Sequence, residues 1–377
     1  MKIAYVTNAR IPTEKAHGYQ ITRTCSEWKK LGHDVTLVVP LRDNPIKEDA
    51  FSFYGIEQNF EVKQVPSFDW IRFSWVLGSL AFVLSSRAFI RALSKSMPDR
   101  NAVIFSRDAS LVAFFAERGY AAIYNAHNWP EQPERVVRLL SKAKGIVCNS
   151  PGTEEAVKKS LSLPTVVVHN AADPNPFLKT DIRNLRSELD LPQDKKIVTY
   201  VGHLYGWKGA DMILSLAERF KDERNVEFAV IGGTKRDIAR FSADIIKREI
   251  GNVSLLGFQR KELIPKYLAA SDVLILPNAA STEESVRYTS PLKLFEYMAA
   301  GKPIVASDLP SIHAVLPPHA GFFAAPGDVD AFQLALYSAL SKEGPAKADY
   351  ALSESKKYLW QSQAKISSDF IETVCKA

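Results

Sequence analysis

Along the chain, short apolar runs alternate with longer stretches in which apolar positions recur at helical spacing. In the first half the runs are KIAYVTN, DVTLVVP, AVIFSR, AAIYNAH, GIVCNS and TVVVHN; in the second they are KIVTYVG, EFAVIGG, VSLLGF, DVLILP and PIVAS. Their continuous apolarity predicts parallel strands buried on both faces. Helical periodicity lies between them, over Thr22–Leu31, Ala210–Phe220 and Glu262–Ala270. Such alternation builds α/β sheets covered on both sides, and two series predict two Rossmann-like domains with parallel sheets facing across a cleft. The alternation lapses in HNAADPNPF, His169–Phe177. This places an N-terminal domain at 1–170, a C-terminal domain at 171–350, and a terminal amphipathic helix within 351–377.

One helical stretch carries a charge where the pattern asks for none. In TSPLKLFEYMAAGKPIVAS, Leu292, Leu294, Phe295, Met298, Ala299 and Ala300 keep helical spacing, Pro291 suits a first turn and Gly301 a C-terminal cap. Glu296 sits inside that run, and an unpartnered buried carboxylate is costly, so it is predicted to meet a donor or face a cleft. Ligands of open α/β sheets bind beyond the carboxyl ends of the strands. At one such end, YVGHLYGWKGADMIL sets Gly202, Gly206 and Gly209 between strand and helix with Lys208 just before the helix. Glycines admit close backbone approach, and a helix N-terminus and a lysine favour anions, so the loop reads as a diphosphate cradle or as a glycine-rich turn with an exposed lysine. Its spacing is neither G-x-G-x-x-G nor the Walker pattern.

Composition narrows the class. A chain of 377 residues, 46% hydrophobic and 24% charged, is that of a soluble globular protein with two cores. Cys25, Cys148 and Cys375 lie far apart, which argues against a disulfide framework or zinc site, and MKIAYVTNAR runs directly into a strand; both predict a cytoplasmic location. Residues 1–170 hold 22 Lys+Arg against 16 Asp+Glu, while the remainder is balanced at 26 against 26. The basic surplus of the first domain suits anionic lipid, a phosphorylated acceptor, or simply a solvated surface. No basic run interleaved with aromatics is present, which excludes nucleic acid as a partner.

Two further stretches need weighing. GDVD, Gly327–Asp330, has the D-x-D spacing of cation–diphosphate sites, but it precedes the helical AFQLALYSAL and reads as an aspartate capping that helix, so no metal is predicted. Between Asp69 and Leu93 the longest charge-free run, Phe73–Ser86, is 14 residues, short of the about 20 needed to cross a bilayer. Trp70, Phe73, Trp75 and Phe82 with flanking arginines suit a membrane interface or an acceptor groove, although a buried core helix is the expected reading.

VGHLYGWKG, GFQRKELIPKYLAASDVLILP and SPLKLFEYMAAGKPIVASDLPSIHAVL, in this order, resemble the C-terminal half of retaining glycosyltransferases of the GT-B fold in glycosyltransferase family four. AHGYQITRTCSEWKKLGHDVTLVVP resembles that family's first loop, helix and second strand. The resemblance implies sugar transfer from a nucleotide-sugar, UDP- or GDP-linked, to a hydroxyl of a glycan, glycolipid or other acceptor, with no further cofactor; the basic first half and the stretch 69–93 leave open a peripheral association with the inner face of the membrane. The resemblance also implies that Glu296, matching the second glutamate of the E-x7-E motif, bonds ribose hydroxyls, and that Lys208 contacts the diphosphate. It places Gly202, His203, Ser290, Pro291, Leu292 and Lys293 around phosphates and sugar, Phe258 near the base, and Gly18, in the first loop, against the β-phosphate. His127, in IYNAHNWPE, matches a histidine implied to touch the transferred sugar; by itself it also suits a strand-end structural role. Arg107 and Asp108 are acceptor candidates, with a helix cap as the alternative for Asp108. The terminal helix is implied to cross back to the first domain. The chain departs from the family where Tyr288 replaces the motif's first glutamate, where His203 replaces an arginine, and where YTSP replaces an EGFG-like run. A GT-B nucleotide-sugar epimerase and a non-catalytic sugar-binding protein remain alternatives.

Overall fold

The computed structural model describes residues 1–204 and 209–376. The chain divides into two compact units, one of Met1–His169 with the segment from Trp360 onward, the other of Asn170–Leu359.

The first unit is built on a seven-stranded sheet: β1 Lys2–Val6, β2 Asp34–Leu41, β3 Glu61–Pro66, β4 Val103–Ser106, β5 Ala122–Ala126, β6 Gly145–Cys148 and β7 Thr165–Val167. All neighbours are parallel, in the order β3-β2-β1-β4-β5-β6-β7. The pleat sends successive side chains to opposite faces. Ile3 and Tyr5 therefore join the core around Trp28 and Ile371, while Ala4 and Val6 join Leu111 and Phe115 on the other side. The second unit has a six-stranded parallel sheet of β8 Lys196–Val201, β9 Val226–Ile231, β10 Val253–Gly257, β11 Val273–Leu276, β12 Ile304–Ser307 and β13 Phe322–Ala324, ordered β10-β9-β8-β11-β12-β13. Here too Leu274 and Ile275 lie in cores on opposite faces. Two doubly wound sheets follow from strands apolar on both faces.

Two strands were not in the predicted series, β3 and β13, and both are edges. β3 places only Val65 among its buried residues and carries Glu61, Lys63 and Gln64, so it lacks the apolar run; β13 is three residues long. Helix bounds also differ. The predicted Thr22–Leu31 begins at Ala16, because Lys15 offers no side-chain cap to mark the start. Glu262–Ala270 resolves into a 3₁₀ turn, Lys261–Leu263, followed by the helix Ile264–Ala270, with Pro265 in its first turn.

The terminal helix Trp360–Lys376 belongs to the first unit. Its Ala364, Ile371 and Val374 enter the core beside β1, and the buried Trp28 indole donates to Ser367 Oγ at 3.0 Å and Ala364 O at 3.2 Å. The transition falls at Leu359–Trp360, not at 350. A buried indole whose N–H is satisfied on that helix ties the chain end to the sheet.

Candidate functional site

In the second unit the candidate residues gather at the carboxyl ends of the strands. β8 ends at Val201, and Gly202 follows at φ +147°. A Cβ built on Gly202 would stand 3.5 Å from Lys293 Nζ and 3.4 Å from Tyr200 Oη, and one on Gly232, after β9, would approach Gly202 O to 2.3 Å. The two loops therefore stack backbone on backbone, which only glycine at φ +112° permits at 232. Gly209 does the same beyond the undescribed segment: its Cβ would collide with Pro277 O at the end of β11. Lys208 itself lies outside the described residues.

Lys293 comes from the helix Leu292–Ala299, whose N-cap is Pro291 and which has no side-chain cap. Its Nζ sits 4.1 Å from the Tyr200 ring centroid, a cation–π placement at the mouth of β8. Tyr200 and Tyr297 are kept neutral, since burial pushes both phenols up. Tyr200 donates to His203 O at 2.8 Å, and Tyr297 Oη accepts from Val201 N at 2.8 Å, so the loop after β8 is fixed from both sides. Ser290 is buried; its Oγ accepts from Asn170 N at 3.3 Å and its carbonyl accepts from Asn170 Nδ2. Tyr288 ends a π-helical turn, Glu284–Tyr288.

Glu296, one turn after Lys293, shares its face of the helix. Its carboxylate pairs with Lys261, from the 3₁₀ turn after β10. Burial pushes the Lys261 amine down to about 8, partly opposed by Asp173. Thus the predicted donor for Glu296 exists and is an amine. The sequence reading gave Lys261 no role, although its position four residues beyond Gly257, at a strand end, was the available signal. Phe258 stands between them in the chain, exposed, behind Gly257 at φ +64°. The GDVD carboxylates are used by the fold: Asp328 accepts from Ala331 N at 2.9 Å to cap Val329–Leu340, and Asp330 pairs with Arg219 at 2.9 Å.

The first unit carries a second group of candidates at the ends of β1, β4 and β5. Arg107 donates from Nε to Tyr5 Oη at 3.0 Å and from Nη1 to Gln20 Oε1 at 3.2 Å. Its charge bears on two imidazoles. Burial, then Arg107 and His17, hold His127 well below the usual imidazole range; burial, then Arg107 and Lys15, push His17 down to about 4. Both rings are neutral at pH 7, beside a permanent cation. His17 was not among the predicted residues. Asp108 caps Ala109–Ala116 by accepting from Ser110 N at 2.8 Å, the alternative the sequence left open. Gly18 is not in a loop but in the first turn of Ala16–Lys30, where a Cβ would meet Tyr54 Oη at 2.0 Å and Thr13 Cγ2 at 2.6 Å; packing within this unit already requires glycine there.

Known proteins match both halves of the chain. Residues 181–357 match the family "Glycosyl transferases group 1", and residues 18–176 match "Glycosyltransferase Family 4". The chain is similar to the putative colanic acid biosynthesis glycosyl transferase WcaI of Escherichia coli, at 29% identity over 32% of this chain and 28% of that protein. It spans between 28% and 58% of the lengths of four curated relatives, WcaI included. Its fold is that of sucrose-phosphate synthase from Thermosynechococcus elongatus, with a TM-score of 0.80 at 15% identity over 100% of this chain and 99% of the other. It is also that of Anabaena HepE, solved in complex with UDP and glucose, with a TM-score of 0.75 at 18% identity over the whole of both chains. Two parallel doubly wound sheets, each half matched by its own family, together establish that this chain belongs to the group 1 glycosyltransferases of the GT-B fold.

Proposed function

We propose that the protein is a retaining, metal-independent glycosyltransferase that moves a sugar from a UDP- or GDP-sugar to a hydroxyl of a glycan or lipid-linked glycan, in surface polysaccharide or glycoconjugate synthesis. The carrying observation is the helix Leu292–Ala299. It presents an N-terminus without a side-chain cap, Lys293 against the Gly202 turn, and Glu296 one turn deeper, all at the carboxyl end of one sheet. In this reading the amides of Leu292 and Lys293, the Lys293 amine and the turn at Gly202 and His203 neutralise the diphosphate leaving group, the work a divalent cation does elsewhere. Glu296 accepts from the ribose hydroxyls, taking them in exchange for Lys261, and Phe258 offers an exposed aromatic face to the base. Lys208, beyond the described residues, adds a second cation to the same anion.

Chemically, the acceptor oxygen bonds to the anomeric carbon as the bond from that carbon to the β-phosphate oxygen breaks. The acceptor proton passes to the departing phosphate, on the same face, which gives net retention. Neutral His127 and His17 supply hydrogen bonds to sugar hydroxyls without taking that proton, and Arg107 supplies charge for the acceptor. The names of WcaI, for colanic acid, and of the HepE complex, for UDP and glucose, support the polysaccharide setting and a uridine donor.

The test is product analysis with α-linked nucleotide-sugars and a membrane-extract acceptor fraction. An α-glycoside by NMR coupling, formed equally in excess chelator, is expected. A β-glycoside, or activity abolished by chelator, contradicts the mechanism; release of an altered free sugar without acceptor points to an epimerase instead.

A further inference from the structure

We propose that residues 68–83 of the first unit form a docking face for an anionic lipid bilayer, on which the protein lies without crossing. The inference is independent of the donor-site reading. The segment does not form the expected core helix. It breaks into a 3₁₀ turn, Trp70–Phe73, a single turn, Ser74–Leu77, a reversal at Gly78 with φ +52°, and the helix Leu80–Leu93. That helix buries one stripe only, Ala81, Ser85, Phe89 and Leu93 at four-residue spacing, and Phe89 and Leu93 enter the core with Val38 and Val65. Its inward side is therefore complete.

Ile90 and Ala92 also pack against that core, whereas the apolar residues of 68–83 do not enter it. Trp75 is 84% exposed, Val76 63%, Phe82 58% and Leu80 51%, with Phe68 and Val83 also exposed. Such residues occur singly on soluble surfaces, but contiguous ones mark a surface that is covered in use. The aromatics are grouped: Phe68 lies 4.8 Å from Trp70 and 6.3 Å from Phe73 between ring centroids, and the Arg72 guanidinium sits 5.5 Å over Phe73. Amphipathic aromatics with arginines suit a membrane–water boundary.

Charge selects the occupant. From Trp70 to Pro98 the chain carries Arg72, Arg87, Arg91 and Lys95 and no carboxylate. Val83, Arg87 and Arg91 follow one another at four-residue spacing on an exposed face, so cations flank the apolar patch along the same helix. Asp69, the one carboxylate within 68–83, caps Trp70–Phe73 and lies 3.6 Å from Arg42, so the apolar side chains rimmed by cations complement acidic headgroups over acyl chains. Among the described residues no helix is long and apolar enough to cross a membrane, which fixes the mode as lying on the surface.

Co-sedimentation of the full chain with vesicles of equal parts phosphatidylcholine and phosphatidylglycerol, and with phosphatidylcholine alone, tests this. The wild type is expected to sediment with the anionic vesicles and far less with the neutral ones. Its partition should fall by about tenfold or more in Trp75→Ser/Phe82→Ser, and by a similar factor in Arg87→Gln/Arg91→Gln, while Trp75→Phe retains binding. All these side chains are exposed, so unchanged melting temperatures verify that the variants fold. Three results would overturn the proposal. One is equal sedimentation of wild type and Trp75→Ser/Phe82→Ser. The second is no sedimentation of the wild type. The third is a self-associated wild type that Trp75→Ser renders monomeric without any vesicle binding, which would assign the face to a second copy of the chain.

Discussion

Glu296→Ala is expected to lower kcat/KM for the nucleotide-sugar by about tenfold to a hundredfold, the scale of hydrogen bonds to a charged acceptor. The loss should appear chiefly in donor KM, because ribose is held alike in ground and transition states. Folding complicates this variant, since it leaves the partly buried Lys261 amine without the carboxylate it pairs with. Glu296→Gln with Lys261→Met removes both charges together. It should restore the wild-type melting temperature without restoring donor affinity, and steady-state kinetics beside a thermal melt separate the two effects. If the double variant instead regains full affinity, Glu296 acts only as the counter-charge of Lys261.

His127→Ala is expected to reduce kcat by about tenfold to a hundredfold with little change in donor KM, as for a residue that supports the transferred sugar in the transition state. His127→Asn, able to form one of the same hydrogen bonds, should recover part of the loss. The pH dependence is distinctive. Both His127 and His17 are held below the ordinary imidazole range, mainly by burial and then by Arg107. In the unfolded chain an imidazole takes up its proton as pH falls through about 6.5. In the folded chain His17 does so only near 4. Between those values the unfolded state binds more protons, so stability rises with pH across that window and is lost as pH falls through it. Neither ring should therefore impose a titration on kcat between about pH 6 and 8. A histidine-like inflection near 6.5 that vanishes in His127→Ala would show instead that a protonated ring takes part.

What was legible in the sequence follows from what periodicity can report. The central strands, such as Val103–Ser106 and Val273–Leu276, are buried throughout, and burial on both faces leaves an apolar run whatever else the chain does. The edges are not written that way: Glu61–Pro66 has a solvated side, and Phe322–Ala324 is too short for a pattern. Glu296 was visible because a carboxylate in an apolar helical stripe needs a reason. Its partner was not, since Lys261 reaches it through the approach of the 3₁₀ turn Lys261–Leu263 to the helix Leu292–Ala299, a tertiary fact. His17 and His127 likewise become a group through the adjacency of β1, β4 and β5 in the sheet. Gly18 shows the converse: its need for glycine is met by Tyr54 and Thr13, contacts no local pattern encodes.

The central claim is that the second unit holds a nucleotide-sugar through the helix that carries Lys293 and Glu296. It is tested most directly by ligand-induced thermal stabilisation, which requires no acceptor. Saturating one class among UDP-, GDP-, ADP-, dTDP- and CMP-sugars should raise the melting temperature by several degrees, since a ligand at a hundredfold excess over Kd that binds only the folded state stabilises it by about 3 kcal/mol. The account predicts that the uridine or guanosine class does so, and that Lys293→Ala and Glu296→Gln each diminish the shift. A wild-type shift that persists undiminished in both variants, or no shift with any nucleotide class, would contradict it.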